Sequence, residues 1–269
     1  VYMIVNPGSE AECAKKMLPS EINLIEIPHD DAWARDNCPE FALDQSGKLV
    51  AIDWKFNAWG WKYPTWKLDD AVPKALCDLW NIERIEAPLF LEGGSVHVNG
   101  EGALLATEEC LLNPNRNPDR SKLEIKACLL DYFGANKMVW LPFGLEGDET
   151  DGHVDNVACF ASPNHVLLHS GKGTRMEACA KVLTDAGFEI STFPEPEGVT
   201  IPAASYINFS FVNGGIVMPA LGSKKDSEAF EKMKALFPDR EVVQVDSIEV
   251  LRGGGNIHCI TRQVPRGAR

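Results

Sequence analysis

The sequence predicts an α/β fold of five repeated ββαβ-type units, set radially as a pseudo-symmetric propeller around one central site. Three observations carry this prediction. One pattern recurs along the 269 residues: an apolar strand, a helix-like stretch, a second strand, then a Gly- or Asp-rich turn and a further strand. The second strands end near Pro28, Pro88, Pro142, Pro194 and Asp246, so the unit recurs at intervals of 60, 54, 52 and 52 residues. The unusual polar clusters all fall at one phase of the repeat, just beyond that second strand. Radial stacking of such units gathers their turns about one axis and makes neighbours of residues far apart in sequence.

In the first unit, Val1 to Val5 is apolar throughout and is predicted as a strand already under way, so an N-terminal segment is expected ahead of it. A helix over Ser9 to Leu18, with Ser9 as its N-cap, and a strand over Ile22 to Ile27 lead to the turn Asp30 to Asp36. The second unit runs through a strand at Leu49 to Trp54, a helix at Asp70 to Trp80 and a strand at Ile82 to Ala87, reaching Leu91-Glu92-Gly93-Gly94. The third has its helix at Ser121 to Phe133 and its strand at Lys137 to Leu141, before the turn Gly147 to Asp155. The fourth passes through Val166 to His169, Thr174 to Ala186 and Phe188 to Phe193 to Ala204-Ser205-Tyr206-Ile207-Asn208. The fifth has a helix at Ser227 to Leu236 and a strand at Glu241 to Val245, then Gly253-Gly254-Gly255-Asn256-Ile257-His258-Cys259.

Composition narrows the function classes. A 45% hydrophobic content fills a substantial core, and 26 basic against 39 acidic residues give a net charge of −13. That field disfavours nucleic acid and anionic membrane surfaces and suits a cationic partner. Apolar runs are too short to span a bilayer. Eight cysteines without a C-x-x-C pair are expected to be mostly reduced thiols of a cytoplasmic protein.

The groups placed to converge are Asp36, Glu92, His153, Asp155 and Cys259, types suited to nucleophilic attack on a cation. A cysteine attacks as its thiolate, which a neighbouring imidazolium or a cationic substrate favours. Three glycines before Cys259 let backbone approach a substrate closely. Cys13, Cys77, Cys110, Cys128, Cys159 and Cys179 are expected as small buried hydrophobes. His153 and Asp155, two apart, share one face if the segment is a strand. By the same alternation His258 points away from Cys259, and it is assigned with His29, His97, His165 and His169 to structural roles. Asp36 and Asp155 each offer a planar guanidinium two acceptors. Asp30 and Asp31 suit turn or capping roles. Trp33, exposed three residues before Asp36, packs either on a cationic or aliphatic substrate or into the core. Trp59, Trp61 and Trp66 with Tyr63 form an aromatic loop that either covers the site or packs between units. Gly171-Lys172-Gly173 lacks the full phosphate-loop pattern and is taken as a connection.

The strings Trp33-Ala34-Arg35-Asp36, Leu91-Glu92-Gly93-Gly94, Gly152-His153-Val154-Asp155-Asn156 and Gly254-Gly255-Asn256-Ile257-His258-Cys259, with Glu108 to Pro118, resemble the agmatine deiminases. The likeness spans nearly the whole chain, with the motifs in family order. It implies the five-unit α/β propeller, or pentein, of the guanidino-group-modifying enzymes, and residues 1–269 as a single catalytic domain. By this likeness Cys259 attacks the guanidinium carbon of agmatine, His153 is general acid and base, Asp36 and Asp155 hold the guanidinium, and Glu92 orients His153 or the substrate. The product implied is N-carbamoylputrescine, on a route to putrescine and polyamines, with no metal or organic cofactor and a homodimer as the expected assembly. The His169 to Met176 connection and the stretch from Pro194 to Pro202 are shorter than the family pattern. Alternatives are a deiminase of peptidyl or free arginine, amidino transfer to an amine, a metal hydrolase using His153, Asp155 and Cys259, and a propeller that binds polyamine without catalysis. Cys259 separates the last of these, because binding needs no thiol.

Overall fold

The computed structural model describes residues 1–171 and 173–266, so Lys172 of the Gly171–Gly173 connection lies outside the described residues. Five small sheets follow one another along the chain. The first pairs β1 (Tyr2–Val5) with β2 (Asn23–Glu26) in parallel. The second holds β3 (Glu40–Leu43), β4 (Leu49–Lys55) and β5 (Glu83–Phe90); the third, β6 (Val96–Val98), β7 (Ala103–Thr107) and β8 (Lys137–Leu141). The fourth holds β9 (Ala158–Ser162), β10 (His165–His169) and β11 (Glu189–Phe193); the fifth, β12 (Ser210–Val212), β13 (Gly215–Ala220) and β14 (Glu241–Asp246). In each three-stranded sheet the first strand is antiparallel to the middle one, and the middle one is parallel to the last.

A parallel pair needs a crossover, and a helix supplies it each time. These helices are Ser9–Met17, Lys67–Trp80, Lys122–Tyr132, Thr174–Asp185 and Asp226–Leu236. Ser121 caps the third through a reciprocal box with Glu124. Ser9, in contrast, is the first helical residue rather than the cap, a place taken by Gly8 at φ +87°.

The middle strands are buried on both faces, and their alternation divides them between successive cores. Leu104 and Ala106 of β7 pack with Ile52, Trp54 and Leu129, while Ala103 and Leu105 pack with Val166, Leu168 and Leu183. Leu167 of β10 turns the other way, to Ile216, Met218 and Met233. The first four sheets are thus each covered by the following unit, and every fully buried Leu here contributes about 1.5–3 kcal/mol. The antiparallel first strands β3, β6, β9 and β12 each start directly after one of the polar turns, which therefore sit at the same end of their sheets.

Candidate active site

Four polar turns and the glycine-rich fifth build one buried constellation. Asp36 lies in a one-turn helix, Ala34–Asn37, and is 8% exposed. That turn is pinned from the second unit, because the Asp69 carboxylate accepts N–H bonds from Asp30, Asp31 and the Asn37 amide at 2.8, 3.1 and 3.2 Å. Asp36 in turn accepts from the Gly94 N–H and the Trp59 indole N–H, both at 2.9 Å. Gly94 is required by close approach: a Cβ there would stand 2.5 Å from His153 Nδ1, 3.0 Å from Asp155 Oδ2 and 3.1 Å from Asp36 Oδ1.

His153 and Asp155 face Gly94 together, but from a different backbone than the strand expected. His153 caps, and Asp155 lies within, a 3₁₀ turn over Val154–Asn156. The turn starts where the Thr150 hydroxyl accepts the His153 N–H, at 3.1 Å, and tightens before β9 begins. His153 Nδ1 is 4.0 Å from Asp36 and its Nε2 is 3.8 Å from Glu92. Burial opposes charge on His153, yet the carboxylates of Asp36 and Glu92 prevail and raise its pKa well above the ordinary imidazole value. It rests as an imidazolium.

Glu92 is 1% exposed and is held by Arg116, whose Nε donates to it at 2.7 Å while its other nitrogens bind Asp151, Asn115 and the Thr150 carbonyl. Burial pushes the Glu92 carboxyl up, but Arg116 and His153 outweigh it and bring it down to about 2. Asp36 and Asp155 go the other way: burial raises both, against the pull of the His153 charge.

Cys259 is 7% exposed, with Sγ 3.6 Å from Asp155 Oδ2. Burial, Asp155 and Asp36 push its thiol well above the usual range, so it rests protonated. Gly255 is the second close approach, since a methyl group there would overlap the Trp33 ring and stand 3.0 Å from Cys259 Cβ. Trp33 is therefore half-buried over the glycine turn rather than exposed, and lines a pocket of about 360 Å³, open mouth included, with Asp36, Trp59, Tyr63, Glu149 and Cys259. The Tyr63 hydroxyl donates to Glu149 at 2.5 Å.

The five charged or nucleophilic groups expected from the sequence thus come together, and others join them. His258 is not a bystander: residues 257–260 form a turn, strand alternation does not apply, and its Nδ1 meets Asp155 Oδ2 at 2.8 Å. Burial, Arg35 and Arg262 keep His258 neutral, so Nδ1 carries the proton it donates. Arg35, 5% exposed, anchors the backbone of the Cys259 turn, its N–H donating to the Cys259 carbonyl at 2.9 Å and its Nε to that of His258 at 3.3 Å. Asn208 donates to Cys259 Sγ at 3.1 Å. Of the aromatic loop, Trp59 and Tyr63 reach the site, while Trp61 packs on Trp66 and Phe90. The signal for Asn208 was its place in the fourth turn; for Arg35 and Arg116, their place inside the motifs.

Glu92, Cys110 and His153 form the one group among the described residues whose potential metal-ligating atoms lie within 4.8 Å of one another. The Arg116 guanidinium on Glu92 opposes a cation there. Cys110 is buried as expected, though beside His153. The trio His153, Asp155 and Cys259 is not such a group among the described residues. Among the described residues, Glu92 Oε2 and Asp155 Oδ1 are the buried oxygen atoms at the site without a partner, acceptors suited to the N–H bonds of a cationic ligand.

The model of the Porphyromonas-type peptidyl-arginine deiminase family matches residues 1–265. A protein of Shewanella sp. (strain MR-4), provisionally named agmatine deiminase, is 40% identical over an aligned length of 304 residues, covering 99% of this chain and 82% of its own. The structure of Enterococcus faecalis agmatine deiminase superposes with a TM-score of 0.92 at 34% identity, over 98% of this chain and 83% of that one. A cysteine-to-serine variant of C. jejuni agmatine deiminase with substrate bound gives 0.92 at 29% identity, over 100% and 83%. No helix among the described residues is long and apolar enough to cross a membrane.

Proposed function

The chain belongs to the Porphyromonas-type peptidyl-arginine deiminase family, and from that premise we propose that it is an agmatine deiminase, hydrolysing agmatine to N-carbamoylputrescine and ammonia through a covalent intermediate on Cys259. The observation that carries the reading is a buried thiol facing, at 3.6 Å, a carboxylate whose second oxygen has no partner among the described residues. Asp36 and Asp155 keep the sulfur protonated while they stand alone. A guanidinium bound between them reverses that balance, because its charge neutralises the carboxylates and favours the thiolate.

Chemistry follows from the resting protonation states. The Cys259 proton leaves to solvent, and Sγ forms a bond to the guanidinium carbon while the C=N π pair moves onto nitrogen. The His153 imidazolium then protonates one terminal amino group; the C–N bond breaks, ammonia departs, and an S-alkylthiouronium remains. Neutral His153 takes a proton from water as its oxygen bonds to the same carbon. The C–S bond breaks, the thiolate leaves, and the hydroxyl proton is lost to give the ureido product. Glu92, held ionised by Arg116, supports the imidazolium form of His153.

Among the described residues no lysine or arginine lines the pocket, which favours a substrate without a carboxylate. Glu149 in the same lining suits the far ammonium group of agmatine. Peptidyl-arginine is the second reading, favoured by the family description. The five sheets are read as blades of one propeller domain, supported by their repeated topology and by each unit's turn reaching one site. Cytoplasmic location and homodimeric assembly belong to the same proposal, carried by family likeness. Ammonia and ureido-product release from agmatine, arginine and a blocked arginine peptide, measured in parallel, tests the reaction. Agmatine alone is turned over, and Cys259→Ala abolishes it; turnover of the peptide in preference to agmatine would overturn the substrate assignment.

A further inference from the structure

Asn208 stands at the phase of the repeat that elsewhere supplies Asp36, Glu92, Asp155 and Cys259, and it is fully buried. Its side chain is locked. Oδ1 accepts the His258 backbone N–H at 2.9 Å, and Nδ2 donates to Asn156 Oδ1 at 2.9 Å and to Cys259 Sγ at 3.1 Å. The orientation of the amide is unambiguous because a backbone N–H can only donate, so the oxygen must face His258 and the NH₂ must face the sulfur. Asn156 is fixed likewise, its Nδ2 donating to Asp148 at 3.2 Å.

We infer that Asn208 is a further catalytic residue, a fixed hydrogen-bond donor that stabilises the Cys259 thiolate when it forms and again when it is expelled in the final step. The inference rests on Cys259 being the nucleophile. A thiol sulfur is a weak acceptor and a thiolate a strong one, so an N–H already aimed at sulfur gains on ionisation and needs no reorganisation. The surroundings make such a donor necessary. Asp155 and Asp36 both oppose negative charge on sulfur, and Asn208 and the Asn256 backbone are the groups that oppose them. Substrate brings the compensating charge at the start of the cycle, but the thiolate leaves a carbon whose own charge is being lost, and Asn208 is then in place.

The test is the pH dependence of Cys259 alkylation by iodoacetamide without substrate, followed by peptide mass spectrometry to separate Cys259 from exposed Cys13. This reads the sulfur whether or not agmatine is turned over, so a failed agmatine assay leaves it intact. Asn208→Ala raises the midpoint, slowing labelling at neutral pH by about ten- to a hundredfold, the worth of one charge-assisted hydrogen bond. Asn208→Asp is isosteric, keeps the acceptor for His258 and removes the donor, so it guards against loss of folding in the alanine variant. Its midpoint rises further than that of Asn208→Ala, while labelling at high pH reaches the wild-type rate. Midpoints unchanged in both variants, or Asn208→Asp folded and labelled as wild type, would overturn the inference and leave Asn208 a tie between turns.

Discussion

At the scale of single residues, the site works through charges that burial alone would forbid. His153 carries a proton because Asp36 and Glu92 outweigh the cost of its burial. Glu92→Gln removes one of those supports while its amide oxygen still accepts from Arg116 Nε. The sign follows: the His153 pKa falls, so the imidazolium needed for ammonia departure is lost at lower pH. A pH profile of kcat on agmatine should show the alkaline limb displaced to lower pH, with kcat reduced by no more than the about 10²–10⁴-fold that general acid–base catalysis supplies. An alkaline limb that stays in place would show that Glu92 does not support the His153 charge. The groups of this cluster were legible in the sequence because each sits in a polar turn with a glycine or carboxylate beside it. Strand alternation assigns His258 a structural role, and the sequence gives Asn208 and Arg35 none, for a physical reason. Their partners lie across units, Asp155 for His258 and Cys259 for Asn208, and a local alternation rule fails where the backbone turns at every residue.

At the scale of elements, the five crossover helices and the strands after them were legible from apolar runs punctuated by Pro, Gly and Asp. Lys137–Leu141 falls where expected, and Glu189–Phe193 differs by one residue. The antiparallel first strands were expected only as a further strand after each turn, without bounds, and two of them, Val96–Val98 and Ser210–Val212, are three residues long and show no period. One-turn helices such as Ala34–Asn37 are shorter than any periodic signal. The glycine turn 253–259 shows what such an unpatterned element does: it makes room for the Trp33 ring and sets Cys259 behind it. Gly255→Ala forces ring or turn to move, an overpacking of about 1–3 kcal/mol. Gly253→Ala meets Trp33 only at 3.5 Å and the Val250 carbonyl at 3.2 Å, so it is the milder change. Thermal melting and KM for agmatine should therefore separate the pair, Gly255→Ala melting lower and binding more weakly. Equal behaviour of the two variants would mean that Trp33 has no fixed seat on this turn.

At the scale of the whole molecule, a net charge of −13 surrounds a pocket lined by buried Asp36 and exposed Glu149, an arrangement that suits a cation. Agmatine carries two positive charges, one on the guanidinium and one on the amine. The long-range field acts on its approach, whereas the buried carboxylates act on it after water has been excluded, and salt distinguishes the two. Screening shortens the reach of charge from about 10 Å at 0.1 M salt to about 3 Å at 1 M, and it weakens exposed interactions far more than buried ones. Raising ionic strength over that range should therefore lower kcat/KM for agmatine severalfold while leaving kcat nearly constant, because the reacting atoms are shielded from the ions. Initial rates across a salt series, with both parameters fitted at each concentration, measure the split. If kcat/KM holds steady, the acidic surface serves solubility alone; if kcat falls in step with it, the carboxylates around Cys259 are more open to solvent than their burial allows.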